Sequence, residues 1–270
     1  MTSPYDFANV LFAGPCNRFC PWCIGERLPA SANVDNLDLF PPRGIDALIE
    51  TVNAHRIPEI VFTGTISDPQ LYRHEARLLA LLRERMHTGA RFSVHTNGVR
   101  ALRKLAEFNA YDRACVSFPS FVPDTYAQMM GVRSVPDLAA IVAAARIPVK
   151  VSCVIDTPNA HEIDAFLAQC HAIGVRRVVL RRLYGERREW RVLEGRAPVR
   201  HFKGNPVYDF DGMEVTYWNF DDTECRSVNL FADGTLGTSY LLTETVQLGL
   251  SRVNPGAAQA PQATPPAVPS

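Results

Sequence analysis

The chain has no apolar run near the roughly 20 residues that a membrane span requires, and no segment repeats at solenoid period. Its first residues, MTSPYD, lack the basic and apolar regions of a secretory signal. Lys and Arg number 28 against 28 Asp and Glu, a formal net charge of +0, so no global field draws the chain to nucleic acid or to a membrane surface. Paired C-x2-C elements, the usual mark of structural zinc, are also missing. What remains is an ordinary globular composition, 47% hydrophobic and 21% charged. Seven cysteines without a leader point to a reducing, cytoplasmic setting.

Three of those cysteines, Cys16, Cys20 and Cys23, fall within the eight-residue run CNRFCPWC, just after the apolar stretch FANVLFA at 7–13. Three thiolates on one short loop can hold three irons of a [4Fe–4S] cluster and leave the fourth iron open for chemistry. Structural zinc would want a fourth ligand at a plausible spacing, and none follows. Nor can three thiols so close together on a Pro-containing loop all face one core.

Short β-branched runs at 9–13, 59–63, 92–96, 114–118, 149–155 and 177–183 read as strands. Helical patterns fall between them at 44–54, 69–86, 101–108, 123–130 with 136–145, and 159–173. The last carries Ile163, Phe166, Leu167, Cys170 and Ile173 in the rhythm of a helix packed on a sheet. Six β–α units in alternation demand a parallel sheet, here an α/β fold with a partial six-stranded (β/α)6 TIM-like barrel. Chemistry in such barrels sits at the C-terminal ends of the strands, where the cysteine loop falls. After Tyr184 the rhythm changes. Asp211-Gly212 and Asp233-Gly234, each between strand-like runs, predict hairpins in a small antiparallel C-terminal extension. The expected division is a barrel over 1–185, an extension closing it over 186–253, and a disordered Gly/Ala/Gln/Pro/Ser tail over 254–270.

The cysteine loop, with Trp22 directly before its third cysteine, resembles the signature of the radical S-adenosylmethionine (SAM) superfamily. The resemblance implies the same barrel, one [4Fe–4S] cluster on Cys16, Cys20 and Cys23, and SAM at the open iron. It further implies reductive cleavage of SAM to a 5′-deoxyadenosyl radical that abstracts hydrogen, fed by a flavodoxin or ferredoxin-type electron donor. Gly64 and Thr65 stand where most of the superfamily has Gly-Gly-Glu, so Thr65, Ser67, Asp68 or backbone carbonyls must take the SAM ammonium. Asn97 falls in a Thr-Asn-Gly corner common in the superfamily. Ser117 matches a SAM-contacting serine of the molybdenum-cofactor GTP cyclase branch. Lys150 stands where that branch binds substrate, and strand alternation puts it on one face with Ser152. Arg181 stands where the branch places an arginine near the SAM or substrate anion.

Expected cofactor contacts are thus Trp22, Gly64, Thr65, Asn97, Ser117, Ser152 and Arg181, with Lys150 and Cys225 at the substrate. The stretch from Cys225 resembles the start of an auxiliary-cluster extension whose further cysteines are absent, so a second cluster is not expected. Cys115, Cys153 and Cys170 read as core. The arginine-rich segment from Arg176 to Lys203 reads equally as a solvated face or an anion-binding rim. Missing C-terminal cysteines and a missing Gly-Gly tail disfavour the GTP cyclase itself. No cobalamin or peptide-docking domain is expected either. The expected activity is radical SAM chemistry on a small anionic biosynthetic substrate, with no nucleic-acid or membrane partner. The rivals are a glycyl-radical-enzyme activase and a non-enzymatic iron–sulfur electron carrier.

Overall fold

Six parallel strands form the centre of the computed structural model, which describes residues 3–186, 188–240 and 242. They are β1 (Phe7–Phe12), β2 (Glu59–Gly64), β3 (Arg91–Thr96), β4 (Arg113–Ser117), β5 (Val149–Val154) and β6 (Arg177–Arg181), each hydrogen-bonded to the next. Between them run α1 (Ile45–His55), α2 (Glu75–Arg85), α3 (Leu105–Phe108), α4 (Pro123–Met130), α5 (Leu138–Ala144) and α6 (Ile163–Ala172). The helix expected over 69–86 is divided. Asp68 accepts from the Gln70 N–H and caps a single 3₁₀ turn, Pro69–Leu71, so α2 starts only at Glu75.

Strand alternation separates two environments. One face sends Val10, Phe12, Ile60, Phe62, Val94, Val116, Val151 and Leu180 into a continuous core with the helices, among them Leu48, Leu82, Tyr126 and Phe166. Cys153 and Cys170 belong to this core and are fully buried. The opposite face carries Ser93, His95, Cys115, Ser117, Lys150, Ser152 and Arg181, which line a cavity of about 1560 Å³. A TIM barrel fills its interior with layers of branched apolar side chains. Here the interior is polar and open.

The hairpins form at both Asp-Gly pairs, but they do not stand apart from the barrel. β8 (Asn205–Phe210) and β9 (Met213–Trp218) are antiparallel, joined through Asp211 and Gly212 at φ 51° and 83°, the left-handed pair of a two-residue hairpin turn. β10 (Ser227–Leu230) and β11 (Leu236–Gly237) pair likewise. β9 then adds parallel to β6, and β10 adds parallel to β1. With β7 (Arg200–Phe202) on β8, the order is β11-β10-β1-β2-β3-β4-β5-β6-β9-β8-β7. The expected antiparallel hairpins are present, and through β9 and β10 they also lengthen the parallel sheet on both sides. Residues 219–226 cross from one edge to the other. Asp6 pairs with Lys203 and exchanges hydrogen bonds with the Arg226 backbone, and Tyr240 packs against Phe7, Trp218 and Phe220. These contacts draw the edges together without a strand ladder. The tail expected over 254–270 lies outside the described residues. Among the described residues no helix is long and apolar enough to cross a membrane.

Candidate active site

The cysteine loop leaves β1 at the C-terminal end of the sheet and is fastened from three sides. The Phe19 N–H donates to Met130 O at 3.0 Å, tying the loop to the end of α4. Gly131, at φ 75°, follows that helix, and a Cβ there would stand 2.5 Å from Phe19 O. Glycine is required at this position on both counts. On the β2 side Cys23 Sγ lies 3.3 Å from Thr65 O, and a Cβ on Gly25 would meet the same carbonyl at 2.6 Å. On the β3 side Asn97 Nδ2 donates to Asn17 Oδ1 at 2.7 Å.

Burial pushes all three thiols up, Cys20 to about 12. At Cys20 the nearby Cys23 and Cys16 thiols raise it further. Three thiols that oppose one another's ionisation suit a cationic centre. Among the described residues no group of three or more His, Cys, Asp or Glu converges on a single metal ion. An all-sulfur set on one loop suits an iron–sulfur cluster, which spreads its thiolates over separate irons.

Beside the loop, the turn after β2 is tightly constrained. A Cβ on Gly64 would fall 1.6 Å from Ser67 O. Thr65 Oγ1 donates to Phe12 O and Ser67 Oγ to Pro15 O, which orients both hydroxyls and leaves their lone pairs to accept. Asp68 is fully buried and accepts from Gln70 N, Thr96 Oγ1 and Asn97 N; burial raises its pKa against these donors. The Asp68 carboxylate is therefore occupied within the protein, whereas the Thr65 and Ser67 oxygens and the backbone carbonyls of the turn can still accept.

Further in, cross-strand register lines up His95, Cys115, Lys150, Arg177 and Glu214 in one row across β3, β4, β5, β6 and β9. Arg177 pairs with Glu214 at the end of that row. Lys150 has no ion-pair or hydrogen-bond partner among the described residues. Cys115, expected in the core, is buried but belongs to the cavity wall. Ser152 is buried and Ser117 exposed, one pair up the same face. His95 was not anticipated as a site residue. Its signal was the alternation of Arg91, Ser93 and His95 with Phe92 and Val94. Burial holds its pKa well below the usual imidazole value, and the charges of Lys150, Arg181 and Arg113 lower it further.

Arg181 lies under the aromatic seam, its guanidinium carbon 5.7 Å from the Trp218 ring centre and 6.0 Å from that of Phe220. Its Nε is buried without a hydrogen-bond partner. Cys225 lines the same region, half-buried, its thiol pushed up to about 11 by burial and by Asp6. Trp22 lines the cavity from the cysteine loop. The arginine-rich segment is divided. Arg177 and Arg200 pair with Glu214, Lys203 pairs with Asp6, and Arg188 and Arg196 stack on Trp190 and Phe210. Arg176, Arg181 and Arg182 of the same segment line the cavity.

An open parallel barrel with three half-buried thiols over a polar interior defines a cofactor-dependent α/β protein of the partial-barrel class. The profile of the radical SAM superfamily matches residues 10–170, and the chain belongs to that superfamily, whose members use a [4Fe–4S] cluster and SAM. No curated protein matches. Among solved structures, Streptococcus suis SuiB bound to the precursor peptide SuiA is 14% identical at a TM-score of 0.53, over 66% of this chain and 40% of SuiB. SuiB bound to S-adenosylmethionine matches at 14% and 0.50, over 67% of this chain and 40% of SuiB. TYW1 with a lysine-pyruvate adduct matches at 12% and 0.50, over 68% of this chain and 67% of TYW1. The chain thus spans about two fifths of SuiB, and at these identities the likeness establishes the fold.

Proposed function

We propose that this chain is a radical SAM enzyme in which Cys16, Cys20 and Cys23 hold the cluster and a small anionic substrate sits inside the barrel. The bound cofactors supply a 5′-deoxyadenosyl radical that removes hydrogen from an unactivated C–H bond. The protein's part is to place and shield. Backbone carbonyls of the turn from Gly64 to Ser67, with the Thr65 and Ser67 hydroxyl oxygens, receive the methionine ammonium, because the Asp68 carboxylate is engaged by the β3 corner. Trp22, Asn97, Ser117 and Ser152 border the space beside the loop where the nucleoside would lie. Lys150 and Arg181 attract the substrate's phosphate or carboxylate, and Cys225 borders the substrate at the seam.

The observation that carries the substrate reading is Lys150, a half-buried residue lining the cavity with no ion-pair partner among the described residues, so its ammonium is left for a ligand. The same cations weaken the activase reading, because a peptide backbone brings no charge to neutralise them. An electron carrier would have no use for a polar cavity next to the cluster. Anaerobic reconstitution tests the assignment. The chain should bind about four irons, as one cubane requires, and produce 5′-deoxyadenosine from SAM and dithionite. Alanine at any of the three cysteines should abolish both. Close to eight irons, or zinc in place of iron, would sink it.

A further inference from the structure

Arg18 lies between the first two cysteines of the loop and is only 8% exposed. Its guanidinium is fixed at three points: Nε donates to Tyr126 Oη at 3.1 Å, Nη1 to Asn17 O at 2.8 Å and Nη2 to Ser134 O at 2.9 Å. It also stands 5.5 Å from the centre of the Tyr126 ring. Every one of these acceptors is neutral, and no carboxylate pairs with Arg18 among the described residues.

A buried guanidinium without an anion is among the more costly features a protein can keep. Hydrogen bonds to carbonyls satisfy its N–H groups but do not neutralise its charge. The groups beside it that turn negative on binding iron are the thiols of its own loop. Tyr126 and Met130 both lie on α4, and Met130 Sδ is 3.6 Å from Cys20 Sγ, so the helix that fixes the guanidinium also touches the second cysteine. The charge is held in place on the same scaffold as the sulfur.

We propose that Arg18 is a fixed countercharge to the cysteine-bound cluster, a positioning residue that makes the cluster easier to reduce and stabilises the loaded loop. The inference rests on the cluster reading above. Adding an electron makes the cluster more negative, so a rigid cation nearby favours the reduced form. Rigidity matters because a mobile charge would be screened by water entering with it.

The test compares wild type with Arg18→Gln, Arg18→Lys and Tyr126→Phe after anaerobic reconstitution. Iron per chain and the midpoint potential from an EPR-monitored redox titration are read without SAM or substrate. Arg18→Gln should titrate lower, with the reduction equilibrium about tenfold less favourable, ~59 mV for one electron. Arg18→Lys and Tyr126→Phe, which keep the charge, should stay near wild type. If Arg18→Gln takes up no iron while Arg18→Lys loads fully, the countercharge reading is supported as well. Equal iron loss in Arg18→Gln and Arg18→Lys would overturn it, leaving Arg18 as a loop staple. So would a fully loaded Arg18→Gln at the wild-type potential. A wild-type chain that binds no iron overturns the cluster reading itself, and this inference with it.

Discussion

Asn97 Nδ2 donates to Asn17 Oδ1 at 2.7 Å, while the Asn97 N–H donates to Asp68 Oδ2 at 2.6 Å. One buried carboxylate therefore fixes the corner after β3, and that corner fixes the cysteine loop. Asp68 does this with acceptors only, since Gln70 N and Thr96 Oγ1 donate to it as well. Asp68→Asn turns one acceptor into a donor facing a donor, a change worth about 1–3 kcal/mol for a buried group. The variant should melt several degrees lower and lose iron faster to a chelator than wild type. Unchanged iron retention in a destabilised variant would show that the corner does not control the loop.

The loop's other anchor is Gly131. Alanine there meets both a left-handed backbone at φ 75° and a carbonyl 2.5 Å from its Cβ. The backbone strain alone costs about 1–2 kcal/mol, and the clash pushes Phe19 away from α4. Gly131→Ala should lower the melting temperature and reduce iron uptake. Gly174→Ala, also at positive φ (88°) but with nothing within 4 Å of its Cβ, should destabilise without affecting iron. Comparing the two separates loop displacement from strain.

Much of this arrangement was legible in the sequence because its signals are local. Period-two alternation puts Lys150 and Ser152 opposite Val151 and Cys153, and that is how β5 stands. Asp211-Gly212 marks its hairpin because both residues take the positive φ of a type I′ turn, which Asp-Gly tolerates well. What could not be read depends on partners far along the chain. Arg177, Arg200 and Lys203 of the arginine-rich segment pair with Glu214 and Asp6, and no local pattern announces either pairing. Asp68 was a plausible ammonium ligand until the β3 corner claimed it. The parallel additions of β9 to β6 and β10 to β1 are of the same kind, since a hairpin motif does not say which sheet edge it will join.

His95 supplies a pH signature. Its folded pKa is depressed by burial and by the neighbouring cations, so the unfolded chain takes up the proton first on acidification. Stability is then complete above the unfolded value near pH 6.5 and is lost as pH falls from there toward the folded pKa. His95→Asn should flatten this part of the stability curve, measured by urea denaturation between about pH 7 and 5. An equally steep curve in the variant would assign the acid sensitivity to another group. An anion seated beside Lys150 and Arg181 should offset their charges, raise the His95 pKa and make the wild-type slope shallower.

Lys150 decides between a cofactor-binding and a substrate-binding role for the inner cations. It lies on the registered row between Cys115 and Arg177, and Arg177 is engaged by Glu214, so the Lys150 ammonium is the charge on that row left for a ligand. Removing it should not disturb the cysteine loop, which hangs on α4, the β2 turn and the β3 corner. Lys150→Ala should therefore bind a full cluster and still cleave SAM slowly in the absence of substrate. Substrate turnover should fall by roughly 10- to 150-fold, since losing a charge-assisted contact to an anion costs about 1.5–3 kcal/mol. Lys150→Arg should recover part of the loss for a phosphate or carboxylate, because the fork accepts either. If Lys150→Ala instead abolishes SAM cleavage without substrate, the ammonium serves the cofactor. Normal turnover of an identified substrate by Lys150→Ala would show that no anion sits on this row.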